Sequence, residues 1–129
     1  MIAYLAAAYS RKPEIAIAAE RLEAFGIKVI SSWHKERYNP KISIKSLNDN
    51  ALASIAGIDL NELALADTLI FWAEPHDSQP PRGGRHVEFG IALAYKKHII
   101  VIGERENIFH YFPGITCVNS LEDIINAAA

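Results

Sequence analysis

Five short apolar runs punctuate the chain, at residues 2–8, 27–30, 68–73, 98–103 and 115–118. Each is rich in β-branched, aromatic or small residues and too short for a helix, so each is predicted as a buried strand. Between them, apolar residues recur at helical spacing. Ile15, Ala18, Ala19, Leu22 and Phe25 form one stripe. It opens on Ser10-Arg11-Lys12-Pro13-Glu14, with a capping hydroxyl, a first-turn proline and an acid, and closes on Gly26. A second helix is predicted over 47–66, with Leu52, Ile55, Ala56, Leu60 and Leu63 inward, and a third over 85–95, with Val87, Ile91 and Ala94 inward. Ser120-Leu121-Glu122-Asp123 reads as a capping box that opens the last helix.

Strands that alternate with helices throughout imply one α/β domain over 1–129, a doubly wound parallel sheet with right-handed crossovers. For five strands the flavodoxin-like order 2-1-3-4-5 is expected, with its switch point between the first and third strands. The crevice there should collect residues 4–11 from one side, with Ala6, Ser10 and Arg11 near the ligand, and residues 74–88 from the other. Two polar loops interrupt the pattern. Residues 32–45 read as a long binding loop, and 74–84, with three prolines and two glycines, as the link from strand three to helix three.

Composition narrows the class without naming a function. At 129 residues the chain can bury one core and not two. A net charge of −2 gives no electrostatic footprint for a nucleic-acid polymer or an anionic membrane. Cys117 is the sole cysteine, which excludes an intrachain disulfide and points to a reducing cytoplasm. The apolar opening at 1–8 lacks a basic leader and meets polar residues at once, so it reads as neither signal peptide nor membrane span.

The candidate chemistry lies near the switch point. Neither GxGxxG nor GxxxxGK[ST] is present, so the dinucleotide and P-loop fingerprints are unavailable. Five histidines (34, 76, 86, 98 and 110) show no HxH or HExxH spacing, and no metal or other cofactor is expected. Arg82-Gly83-Gly84-Arg85 is either a solvated loop or an anion site, with two guanidinium groups and a helix N-terminus pointing one way. Glu88 falls in the predicted first turn of helix three, where the helix field would keep it ionised. Asp59 sits on the apolar stripe of helix two, one turn from Ile55 and Leu63. There it is either a structural carboxylate or one whose pKa burial raises into proton-donor range. Two acids in opposed environments fit a division into nucleophile and acid. Trp33 is either a core filler or a wall on which a flat base stacks. His86 lies beside this site, whereas His98 begins a strand.

Three features together resemble the nucleoside 2-deoxyribosyltransferase superfamily, which includes the 2′-deoxynucleoside 5′-phosphate N-hydrolases. They are Tyr4-Leu5-Ala6-Ala7-Ala8 in strand one, Asp59 eight residues before Asp67, and Val87-Glu88-Phe89-Gly90-Ile91-Ala92. The resemblance implies that Glu88 attacks the anomeric carbon, that Asp59 protonates the leaving base and that Tyr4 orients Glu88. It also implies a substrate-binding role for Asp67 and a homo-oligomer whose neighbours help close the site; Phe109, Tyr111 and Phe112 serve either that interface or the core. Six residues before Glu88, the family's free-nucleoside transferases carry an acid and its monophosphate hydrolases a serine; this chain carries Arg82, with Arg85 nearby. A cation there favours a phosphate. The expected activity is therefore cleavage of the N-glycosidic bond of a 2′-deoxynucleotide, a small-molecule substrate, through a deoxyribosyl-glutamate. Base exchange on free deoxynucleosides, cleavage of a ribosyl signalling nucleotide, and non-catalytic nucleotide sensing are the alternatives.

Overall fold

β3, Thr68–Trp72, is buried along its whole length and forms the middle of the sheet. In the computed structural model, which describes residues 1–35, 47–77 and 83–128, it is flanked by β1 (Ile2–Ala6) and β4 (His98–Ile102). β2 (Lys28–Val29) and β5 (Thr116–Val118) are the edges. All pairs are parallel and the order is 2-1-3-4-5, as the alternation of periods implies. The helices are α1 (Lys12–Ala24), α2 (Asp49–Leu65), α3 (Gly84–Ala94) and α4 (Leu121–Ala128). An ion pair between Arg21 and Glu122 joins α1 to α4, while α2 and α3 contact each other and β1. No helix among the described residues is long and apolar enough to cross a membrane.

The register sets which side chains face the site. Tyr4 pairs with Leu69 and Ala6 with Phe71, so by the two-residue period all four share one face. Phe71 meets Phe89 of α3 edge-on, with ring centroids 5.4 Å apart, which identifies that face as the one α3 covers. Tyr4 therefore points from the second strand of the sheet toward α3.

β2 is only two residues long, and side chains take over where its ladder stops. Ile30 N–H still donates to Ala3 O, but Leu5 N–H donates to Ser31 Oγ at 3.1 Å, and the Trp33 indole N–H donates to Leu5 O at 2.6 Å. Ser31 Oγ lies 3.0 Å from buried His34 Nε2. Burial pushes the His34 imidazole pKa down to about 4, so it stays neutral at physiological pH. Trp33 thus has a fixed position at the end of the strand, inside a 3-10 turn over Trp33–Lys35.

In α1 and α2 the structure departs from the sequence pattern. Ser10 does not cap α1: Tyr9–Arg11 forms a 3-10 turn, Arg11 is the N-cap residue and no side chain caps it. Phe25 is exposed, because the helix has ended by that residue. On α2 only Leu63 of the predicted stripe is buried, while Leu52 and Ile55 are half-buried and Ala56 and Leu60 exposed. The N-terminal part of that stripe borders a cleft and not the core. Most of the predicted loop over 32–45 lies outside the described residues.

Replacing Ser31 with Ala leaves the buried Leu5 N–H without its acceptor. Urea denaturation of Ser31→Ala should show a loss of about 1–3 kcal/mol, the cost of an unsatisfied buried donor; an unchanged midpoint would mean that the ladder is not continued by this side chain.

Candidate active site

α3 starts where the backbone turns left-handed. Gly83 has φ +99°, a conformation open to glycine and strained for a residue with a Cβ, and the helix runs from Gly84. The buried side of α3 is Arg85, Phe89 and Ala92, not the predicted Val87, Ile91 and Ala94. Val87 is exposed and Ile91 half-buried. Arg85 belongs to that face: its guanidinium enters the interior, lies 5.1 Å from the Phe71 ring centre and pairs through both terminal nitrogens with Glu106.

On this helix face Glu88 meets β1. The fully buried Tyr4 hydroxyl donates a hydrogen bond to Glu88 Oε2. Glu88 opens the second turn of α3, so the helix field that falls off within the first turn does not dominate its charge. Burial pushes its pKa up to about 7; the Tyr4 bond works against this rise and the negative charge of Asp59 adds to it. Near neutral pH the carboxyl is poised between its two forms, contrary to the ionised state expected from helix position alone. The Tyr4 phenol pKa is itself pushed far up, by burial first and then by the charges of Glu88 and Asp59, so it remains a donor.

Glu88 and Asp59 line one cleft of about 410 Å³. Its walls are otherwise largely apolar: Ala7 and Ala8 after β1, Tyr9, Trp33, and Ile55, Ala56 and Leu60 on α2, with Val87 beside Glu88. Tyr9 and Trp33 rings lie 6.1 Å apart at 40°, forming an aromatic corner. Gly83, Gly84 and Arg85 close the side at the start of α3. Two carboxyls in a mostly apolar cleft with an aromatic corner can hold a flat ring beside a centre that develops positive charge.

The other sequence candidates are placed as follows. Tyr4, Trp33, Gly84 and Arg85 gather at or beside the cleft, but the Arg85 guanidinium is committed to Glu106. Ala6 is buried inside β1, and its successors Ala7 and Ala8 meet the cleft instead. Ser10 is exposed in the 3-10 turn and is not among the described cleft residues. Arg11 is likewise outside it: its guanidinium holds Glu14 at 2.6 Å, Ala73 O at 3.3 Å and Glu74 at 3.5 Å. Asp67 lies at the opposite end of the sheet, where it accepts from the Thr68 hydroxyl at 2.7 Å and Ile2 N–H at 3.0 Å. Those two bonds hold its pKa below the usual carboxylate range and make it a tie between strand starts. Arg82 lies outside the described residues. His86 faces Glu106 and a separate cavity with Phe89 and Phe109, while His98 begins β4. Within the expected crevice segment 4–11 the lining falls to Ala7, Ala8 and Tyr9 and not to Ala6, Ser10 and Arg11; Val87, assigned to the core, lines the cleft, and Glu106 gives no signal in the sequence.

Because its pKa is raised on folding, Glu88 contributes stability at low pH that is lost as pH rises from about 4.5 toward about 7. Glu88→Gln cannot ionise and escapes that loss. In urea titrations it should be more stable than the parent by roughly 1–3 kcal/mol at pH 8 and similar to it at pH 4; equal stability at both pH values would mean that Glu88 carries no such burden.

No protein-family model and no curated protein sequence matches the chain. Solved structures do. A 2-deoxyribosyltransferase from Bacillus psychrosaccharolyticus superposes with a TM-score of 0.73 at 17% identity, over 98% of this chain and 91% of that one. A conserved protein from Enterococcus faecalis V583 gives 0.70 at 14% identity, over 99% and 96%. A CMP N-glycosidase from Clostridium botulinum gives 0.57 at 19% identity, over 98% and 96%. Over nearly its whole length the chain therefore shares the fold of these solved structures, a 2-deoxyribosyltransferase and a CMP N-glycosidase among them.

Proposed function

We propose that this protein cleaves the N-glycosidic bond of a 2′-deoxynucleotide and releases the free base. One observation carries the proposal: a buried carboxyl, Glu88, held by the Tyr4 hydroxyl in the same mostly apolar cleft as a second carboxyl, Asp59. Two solved neighbours, named as a 2-deoxyribosyltransferase and a CMP N-glycosidase, support cleavage or transfer at this bond in general.

In the proposed mechanism the base stacks in the corner of Trp33 and Tyr9. In the reactive form the two carboxyls share one proton, held on Asp59: the ionised Glu88 attacks the anomeric carbon with the oxygen that Tyr4 does not hold, while Asp59 gives that proton to the departing base nitrogen. Carbon–nitrogen cleavage leaves a deoxyribosyl ester on Glu88. Water then attacks that carbon, its proton passes to the Asp59 carboxylate, and Glu88 departs as a carboxylate. A 2′-hydroxyl would withdraw electron density from the developing oxocarbenium, so deoxy sugars are the easier substrates.

The 5′-phosphate of the preferred substrate would meet the N-terminus of α3 at Gly83 and Gly84, with Arg82 supplying the cation. A second reading, base exchange on free deoxynucleosides, draws on a specific observation: Arg85 is spent on Glu106 and offers the cleft no free guanidinium. Ile108, Phe109, Tyr111 and Phe112 are all exposed, which supports a homo-oligomer that covers them over the alternative that the aromatic three fill the core.

Incubation with the four deoxynucleoside monophosphates should yield free base by chromatography, with free nucleosides cleaved more slowly. Glu88→Ala should abolish release, and Asp59→Asn should lower kcat by roughly 10²–10⁴-fold, the usual share of a general acid. kcat/KM should rise with pH through about 7, as Glu88 ionises in the free enzyme. Absence of base from every nucleotide would refute hydrolysis, and exchange between free nucleosides without net hydrolysis would select the second reading.

A further inference from the structure

Glu106 stands outside the cleft, on the segment after β4, and the proposed chemistry makes no use of it. Yet it joins three elements. Its Oε1 accepts from Arg85 Nη2 at 2.7 Å and its Oε2 from Arg85 Nη1, so the fork is held at both tips. The same Oε2 accepts from Glu74 N–H at 3.1 Å, at the beginning of the segment that leads from β3 to α3. Its own N–H donates to Nδ1 of the fully buried His110 at 3.1 Å, and His110 stacks on Phe89 of α3, centroids 4.5 Å apart. One carboxylate thus grips the start of that segment and the first turn of the helix at its end.

The grip fixes a rotation. Arg85 and Glu88 are three residues apart on α3, so their side chains leave the helix about 60° apart, since each residue turns it by about 100°. With the Arg85 side chain 2% exposed and locked in two bonds to Glu106, α3 can turn only by extracting a guanidinium from the interior. A buried ion pair of this kind adds little net stability over apolar residues of equal volume, but it selects one arrangement over its neighbours. Its geometry here points at the carboxyl on the next face of the helix.

We propose that Glu106 is a positioning residue: acting through Arg85, it sets the rotation of α3 that presents Glu88 to the Tyr4 hydroxyl at the cleft wall. The catalytic part of this proposal rests on the role of Glu88 given above; the geometric part does not. Effective attack requires the carboxylate oxygen within a few tenths of an ångström of its place, and misplacement by about 1 Å costs on the order of a hundredfold in rate.

Two readouts test it, on the full chain. Arg85→Met/Glu106→Leu removes the clamp while keeping the site filled, and Glu106→Gln keeps the volume while removing the charge. The first readout is the titration of the Glu88 side-chain carboxyl by carbon-13 NMR, assigned with Glu88→Gln. The titratable groups that face Glu88 are Tyr4 from β1 and Asp59 from α2, and neither is replaced in these variants. Burial is the largest influence on Glu88, so a helix free to turn admits water and lowers its midpoint from about 7 toward 4.5. The double variant should remain folded by circular dichroism and move the midpoint down by about one unit or more, with Glu106→Gln moving it part of the way. The second readout is kinetic: kcat should fall roughly ten- to a hundredfold with KM little changed.

A Glu88 midpoint and kcat equal to the parent's in a folded double variant would overturn the proposal. If the double variant does not fold, Glu106→Gln decides by the same two measures. If the parent cleaves no nucleotide, the catalytic reading fails, and the NMR midpoint alone still decides whether Glu106 positions Glu88.

Discussion

The hydrogen bond from Tyr4 to Glu88 ties the middle of the sheet to the helix that crosses it, and the cleft is built around it. Tyr4 is reachable because β1 lies beside the central strand and the two-residue period turns its side chain to the α3 face. Glu88 is buried because α3 is rotated by Arg85, and it stays hydrogen-bonded because a buried phenol cannot easily lose its proton. A carboxyl in such a place is costly to ionise, and that cost is what moves its pKa toward neutral. Folding tolerates an expense here that a purely structural helix would avoid.

Polarity is distributed unevenly around that bond. The walls supplied by Tyr9, Trp33, α2 and Val87 suit the flat face of a base, and they leave the two carboxyls as the titratable side chains placed to direct chemistry. Two nearby arginines are occupied, Arg11 by Glu14 and Glu74 and Arg85 by Glu106. In the proposed function a 5′-phosphate is met by the α3 N-terminus and Arg82, while Arg85, one of two arginines that the sequence offers for an anion, serves orientation.

Much of this was legible from residues alone. The period change from strand to helix fixes element types, and five alternations leave few parallel topologies, so the order 2-1-3-4-5 follows from the pattern. Asp59 stands out as an acid on an apolar stripe and Glu88 as an acid at the mouth of a strand–loop–helix unit, whereas Tyr4 enters only through the family resemblance. What a one-dimensional pattern cannot convey is rotation. A helical wheel assigns Val87 and Ile91 to the core by hydropathy; the ion pair of Arg85 with Glu106, 21 residues apart, turns the wheel the other way. The same limit hid the charge of Glu88, since burial by distant elements outweighs its position along α3. Asp67 illustrates the reverse case: a motif position whose side chain serves the opposite end of the sheet.

The central claim is that the Glu88 carboxylate forms a bond to the sugar. The direct measurement is peptide mass spectrometry on protein quenched with acid during turnover of a deoxynucleotide. The account predicts one deoxyribosyl group, phosphorylated if the substrate is, on the peptide containing Glu88 and absent from Glu88→Gln. Base release with the sugar on a different side chain, or on none in rapidly quenched samples, would contradict it.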